Sequence, residues 1–118
     1  LIVDDDEDFL RSMEMMLDDE FDTVTAHNEQ EAIEIIDQGH VGMALLDIKL
    51  GNESGLDLLK EINEAHPDTL CIMITGYGND HTEEESMGSG AWRYMVKPVD
   101  PERLFEIIRT GFGKRVAS

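Results

Sequence analysis

Basic side chains are scarce in this 118-residue chain: nine Lys and Arg stand against 27 Asp and Glu, for a formal net charge of −18. A surface of that sign repels a phosphate backbone, which argues against nucleic acid as a direct partner. Cysteine is limited to Cys71, so no internal disulfide forms; the residue lies in the apolar run Leu70 to Ile74 and reads as a buried, unreactive thiol. No apolar stretch approaches the ~20 residues that cross a membrane, and no basic-then-apolar leader opens the sequence. A reduced, cytoplasmic setting is therefore expected. Repeats, linkers and low-complexity tracts are also missing. What remains is one domain, 1–118, with 41% hydrophobic residues to build a single core around an interior sheet. Leu1-Ile2-Val3 reads as the inside of a strand, so its start is expected to be cut off, and the length leaves no room for an output domain.

The charge is unevenly spread. Residues 1–48 carry fifteen acidic side chains against Arg11 alone, whereas residues 92–118 carry six basic ones against Asp100, Glu102 and Glu106. Such an excess keeps a molecule soluble and draws cations or a basic partner face.

Apolar runs alternate with helix-period stretches, the pattern of a parallel sheet flanked by helices. Leu1–Val3, Val24–Ala26, Met43–Leu46, Leu70–Ile74 and Tyr94–Val96 read as strands. Phe9, Leu10, Met13, Met16 and Leu17 recur at helical spacing, with Met15 off the inward line. Asn28 with Glu31 resembles a capping box for a second helix buried through Ala32, Ile33 and Ile36 and ended by Gly39. Ser54 caps a third, with Leu56, Leu59 and Ile62 inward and Pro67 as its stop. Asp100-Pro101 starts the last helix, whose stripe is Leu104, Phe105, Ile108 and Phe112, with Gly111 and Gly113 loosening its end. Residues 80–89 make a poor fourth helix: Glu83-Glu84-Glu85 repel, Gly88 weakens it, and Met87 is its one obvious apolar anchor. Its glutamates are expected to meet Arg103 or Arg109, within the chain or across a dimer.

Open α/β sheets bind ligands at the carboxyl edge of the strands. Here the first strand runs into Asp4-Asp5-Asp6, the third into Asp47, the fourth into Thr75-Gly76 and the fifth into Lys97-Pro98. Singly, each reads best as a solvated turn; together they are hard to explain that way. Asp4, Asp5 and Asp47 cannot all stay ionised within ~5 Å without a compensating cation or a raised pKa. Lys97 offsets one charge, and a hard divalent ion such as Mg²⁺, or Mn²⁺ on the same oxygen ligands, offsets two more. Such an ion keeps positions open for phosphate oxygens, with Thr75 and Lys97 beside them and Asp47 as nucleophile. His27, His40, His66 and His81 are scattered over loops and helix ends and form no ligand set.

These residues carry a resemblance. Leu1-Ile2-Val3-Asp4-Asp5-Asp6, Ala44-Leu45-Leu46-Asp47, Ser54-Gly55-Leu56-Asp57-Leu58-Leu59, Ile72-Met73-Ile74-Thr75-Gly76-Tyr77-Gly78 and Tyr94-Met95-Val96-Lys97-Pro98 together resemble the receiver domain of two-component response regulators. The resemblance implies a doubly wound, flavodoxin-like α/β fold: a five-stranded parallel sheet of order 2-1-3-4-5 with helices on both faces. It implies that Asp47 accepts a phosphoryl group from a phosphohistidine on a sensor histidine kinase or histidine phosphotransfer protein. It assigns Mg²⁺ to Asp4, Asp5, Asp47 and the backbone carbonyl of Lys49, with Asp4 acting through water. The resemblance implies that Thr75 and Lys97 bind phosphoryl oxygens and that Tyr94 follows Thr75 inward as a switch through the fourth helix, fifth strand and last helix. Lys49 and Tyr77, two residues past Asp47 and Thr75, are expected to flank the path of the hydrolytic water. A cis Lys97-Pro98 bond is implied as well, and a homodimer is left open.

Gly51 stands where many members carry proline, which suggests a looser segment from Gly51 to Ser54. A phosphohydrolase of the haloacid dehalogenase type shares Asp, Thr, Lys and Mg²⁺. It needs a second acid two residues after the nucleophile, where this chain has Lys49, and a cap for which the chain is too short. An unphosphorylated interaction module would not require Asp47, Thr75 and Lys97. The reading is a switch that catalyses only its own phosphotransfer and dephosphorylation.

Overall fold

Successive strand residues point to opposite faces of a sheet, so a run that is apolar at every position needs cover on both. The computed structural model, which describes residues 1–76 and 79–117, divides these runs between two cores. Val3, Ala44, Leu46, Cys71 and Met73 enter one core, and Ile2, Met43, Leu45, Ile72 and Ile74 the other.

The elements are β1 (Ile2–Val3), α1 (Glu7–Leu17), β2 (Thr25–Ala26), α2 (Glu29–Asp37), β3 (Met43–Leu46), β4 (Lys49–Leu50), β5 (Glu53–Ser54), α3 (Gly55–Ala65), β6 (Leu70–Thr75), α4 (Asp80–Gly88), β7 (Arg93–Val96) and α5 (Pro101–Ala117). The main sheet has the order β2-β1-β3-β6-β7 and its pairs are parallel. Counting only its strands, this is the expected 2-1-3-4-5. Helices α1 and α5 cover the Ile2 face through Leu10, Met13, Leu17, Leu104 and Ile108, while α2 and α3 cover the Val3 face through Ala32, Ile36, Leu58, Leu59 and Ile62. Cys71 is buried, which pushes its thiol up to about 12. The Lys97-Pro98 bond is cis. Among the described residues no helix is long and apolar enough to cross a membrane.

Local chemistry sets most of the boundaries. Asp6, read as merely solvated, is the N-cap of α1 and accepts from the backbone N–H of Asp8 and Phe9. Asn28 caps α2 by accepting from Glu31 N at 2.9 Å, but the Glu31 carboxylate takes the His27 N–H at 2.8 Å, so the reciprocal arm is shifted by one residue. Residues Gly51 to Ser54, expected to be loose, belong to an antiparallel ribbon in which β4 pairs with β5. Gly51, at φ +60°, takes the first turn position, where a two-residue hairpin of this kind requires positive φ. Helix α5 runs through Gly111 and Gly113 without ending. A Cβ at Gly111 would meet the end of the Met43 side chain and the Trp92 ring, which would have to shift.

Helix α4 departs most from expectation. Met87 is 45% exposed, and the inward residue is Ser86, fully buried. A helix with one large apolar side chain has no stripe to bury, so a small residue makes its closest approach. Asn79 and Thr82 form a full capping box at its start. Arg109 does not reach the α4 glutamates; it forms a two-pronged pair with Glu20, with Nε donating to Oε2 at 2.7 Å. The reason is that α5 packs on the α1 side, where Phe105 lies near Phe21.

Leu46→Ala, at a fully buried position of β3, is expected to cost about 2–5 kcal/mol in urea unfolding. Met87→Ala should cost less than about 0.5 kcal/mol. Comparable losses would show that α4 is anchored through Met87 after all.

Candidate functional site

Parallel pairing of β1 with β3 aligns Val3 with Leu46. The residues that follow, Asp4 and Asp47, therefore emerge side by side at the carboxyl edge. Their backbones stay in the ladder: Asp4 N donates to Ala26 O at 3.1 Å and Asp47 N to Val3 O at 3.2 Å. Lys97 leaves β7 with its own N–H bonded to Thr75 O at 2.8 Å. Its ammonium donates to Asp4 Oδ2 at 2.8 Å and to Asp47 Oδ2 at 3.0 Å.

Asp4, Asp5 and Asp47 each offer a carboxylate oxygen within 4.8 Å of the others. Burial pushes the Asp4 carboxyl above the usual carboxylate range, aided by the charge of Asp47 and opposed by hydrogen bonds from Lys97 and Asp6 N. Burial pulls the Lys97 ammonium down, but its bonds to Asp4 and Asp47 outweigh this and leave it raised. One ammonium against three carboxylates leaves an excess of negative charge on oxygen donors alone. That donor set fits a hard divalent cation.

The backbone around the acids is held from several sides. Asp6 N donates to Asp4 Oδ1 at 2.9 Å, Gly51 N to Asp5 Oδ2 at 2.9 Å and Lys49 N to Asp47 Oδ1 at 3.2 Å. Gly55, the first residue of α3, donates to Ile48 O at 2.6 Å. A Cβ at Gly55 would overlap the Asp47 carbonyl oxygen, so only glycine fits there without moving the backbone of Asp47.

The structure thus brings Asp4, Asp5, Asp47 and Lys97 together. Thr75 ends β6 fully buried, with Val96 as its β7 neighbour. Lys49 is exposed on β4, beyond Asp47. Tyr94 is half-buried on β7, its hydroxyl 2.7 Å from Thr82 Oγ1 of α4. Tyr77 lies outside the described residues. Sequence reasoning missed Phe9 in this setting, taking it for part of the core stripe; the Lys97 ammonium lies 4.0 Å from its ring centroid. It also quoted Gly55 without seeing its contact. The glycine between a capping Ser and Leu56 was a signal of close approach, whereas nothing in a single sequence pairs Phe9 with Lys97.

Residues 1–109 match the family model of the response regulator receiver domain. The chain is 38% identical to response regulator protein PilR of Pseudomonas aeruginosa over 98% of its own length and 26% of that protein's. It is 34% identical to acid tolerance regulatory protein ActR of Sinorhizobium medicae over 98% of this chain and 60% of that one. It therefore spans about a quarter and three fifths of these relatives. Among solved structures, a CheY-like response regulator receiver domain protein from Methanospirillum hungatei superimposes with a TM-score of 0.92 at 32% identity, covering 98% and 94% of the two chains. A response regulator from Burkholderia pseudomallei, with a phosphorylated aspartic acid, calcium ion and citrate, gives 0.86 at 27% identity over 98% and 69%. The chain belongs to the receiver-domain family of two-component response regulators. Its class is regulatory.

Beside the acids, the His27 ring spans two helices. Nδ1 lies 3.0 Å from Glu31 of α2 and Nε2 3.4 Å from Glu7 of α1. The bond to Glu31, then that to Glu7, raises its pKa. A raised value means stability fully present below the ordinary ~6.5 and lost as pH rises through the folded value. Exposed pairs contribute about 0–1 kcal/mol. His27→Gln should therefore lower the melting temperature, by no more than about 4 °C, in acid and not in alkali. An equal loss at both ends of the pH range would show a packing role instead.

Proposed function

We propose that residues 1–118 act as one phosphorylation-dependent switch in which Asp47 accepts a phosphoryl group from a phosphohistidine donor. The observation that carries this reading is the Lys97 ammonium, 2.8 Å from Asp4 and 3.0 Å from Asp47. It sets one positive charge between two carboxylates at the cluster and stands ready to meet new negative charge. The phosphorylated aspartic acid and calcium ion of the Burkholderia pseudomallei relative support it. The donor is a sensor histidine kinase or a histidine phosphotransfer protein.

A carboxylate oxygen of Asp47 attacks the phosphorus, the P–N bond to the donor imidazole breaks, and its electron pair returns to that ring nitrogen. An acyl phosphate remains on Asp47. Lys97 then exchanges part of its bond to Asp47 for a phosphoryl oxygen, and the Thr75 hydroxyl donates to another. Asp4, Asp5, Asp47 and the Lys49 carbonyl would hold Mg²⁺ or Mn²⁺, which supplies positive charge to the phosphoryl oxygens when bound. As Thr75 turns toward the phosphoryl group, Tyr94 turns inward and gives up its hydrogen bond to Thr82. That releases α4 and alters the face formed by α4, β7 and α5.

Phosphoramidate with Mg²⁺ should add one phosphoryl group per chain by mass spectrometry, and neither Asp47→Asn nor removal of Mg²⁺ should leave labelling intact. Equal labelling of the variant would remove Asp47 from the reaction. Lys49 and Tyr77 lie two residues past Asp47 and Thr75 and would crowd the in-line approach of water. Replacing both with Ala should speed loss of the phosphoryl group. An unchanged or slower loss would show that they do not gate it.

A further inference from the structure

The Lys97 ammonium has three N–H donors, of which two are spent on Asp4 and Asp47. Its remaining side is faced by an aromatic ring: Nζ stands 4.0 Å from the Phe9 centroid. That distance is well inside the ~6 Å over which the negative face of a ring attracts a cation. The placement of Phe9 follows from the acidic loop itself. Asp6 N donates to Asp4 Oδ1 at 2.9 Å, and Asp6 Oδ1 accepts from Phe9 N at 3.3 Å. The turn that aims Asp4 at Lys97 therefore also sets the ring against it. Phe9 is half-buried, packed at the edge of the core shared by α1 and α5, so its ring lies between that core and the open cleft.

Resting on the Asp47 reading above, we propose that Phe9 is a positioning residue for phosphoryl transfer: its ring holds the Lys97 ammonium at the bridge between Asp4 and Asp47 and keeps water off that side. Without the ring, the lysine has four flexible carbons and an ammonium that water solvates strongly. It would spend part of its time swung out, leaving Asp4 and Asp47 to repel each other and the incoming phosphoryl oxygens unmet. An aliphatic side chain of similar size fills the core edge but offers no negative face. A phenol keeps the face. The two substitutions thus separate packing from cation binding.

The experiment compares wild type, Phe9→Leu and Phe9→Tyr. Initial phosphorylation rates with phosphoramidate and Mg²⁺ should fall about 3- to 10-fold in Phe9→Leu, with a melting temperature near that of wild type, and recover most of the way in Phe9→Tyr. Without any donor, NMR should show the Lys97 ε-methylene protons shifted upfield by the ring in wild type and Phe9→Tyr, and returned to ordinary positions in Phe9→Leu. A leucine variant as fast as wild type, or a tyrosine variant as slow as the leucine one, would overturn the proposal. So would ε-methylene shifts that ignore the ring. Failure of the wild type to take a phosphoryl group would overturn the Asp47 reading itself, and the donor-free shifts would still decide whether the ring holds the ammonium.

Discussion

The bridge from Lys97 to Asp4 and Asp47 is the constraint around which the carboxyl edge is arranged. Two like charges about 4 Å apart cost about 4 kcal/mol at an effective dielectric constant of 20. Asp4 is 1% exposed and Asp47 8%, so water relieves little of that. The ammonium comes from a third strand, β7. Strand order sets up the meeting: β1 and β3 are neighbours, β6 lies between β3 and β7, and the Lys97 side chain reaches back across β6 to both acids. A buried charge set of this kind is rarely the most stable filling of its space, since apolar groups often do as well or better. Its persistence in so small a protein is a sign of chemistry and not of stability.

The architecture was legible because strand patterning is blunt. Runs apolar at each position, such as Met43 to Leu46, demand two covered faces, and the helices between them supply the cover. The ends of those runs then carried Asp4, Asp47, Thr75 and Lys97 to one edge. Features that depend on one hydrogen bond were less legible. Asp6 looked like surplus charge, yet caps α1; Glu31 looked like half of a capping box, yet its carboxylate holds His27. The β4–β5 ribbon was missed because two-residue strands carry no periodicity, and Gly51 reads equally as looseness or as a required positive φ. Within the chain Arg109 goes to α1's side instead of α4, since charge alone does not say which partner the packing brings near. Glu20 was the nearer.

Helix α4 shows the limit from the other side. Its polar sequence foretold weak packing, and the structure joins it to the sheet through Thr82 and the buried Ser86 instead of an apolar stripe. Among the described residues the buried Ser86 hydroxyl has no hydrogen-bond partner. An element joined to the sheet through a hydroxyl pair, with no apolar stripe behind it, is expected to lie near the low end of local stability. Its neighbours α3 and β6 do not share that weakness, being held in the two cores by Leu58, Leu59, Ile62, Ile72 and Met73.

The contact between Gly55 and the Asp47 carbonyl has a mechanical meaning. Because the start of α3 lies against the backbone of Asp47 with no room for even a methyl group, that carbonyl has no slack in this direction. A strain placed on the Asp47 side chain can be absorbed along the β4–β5 ribbon or toward Lys97, but not by backing into α3. The helix lies directly behind Asp47 and is buried through Leu56, Leu58, Leu59 and Ile62. Any displacement of the Asp47 backbone would have to take a direction other than into α3.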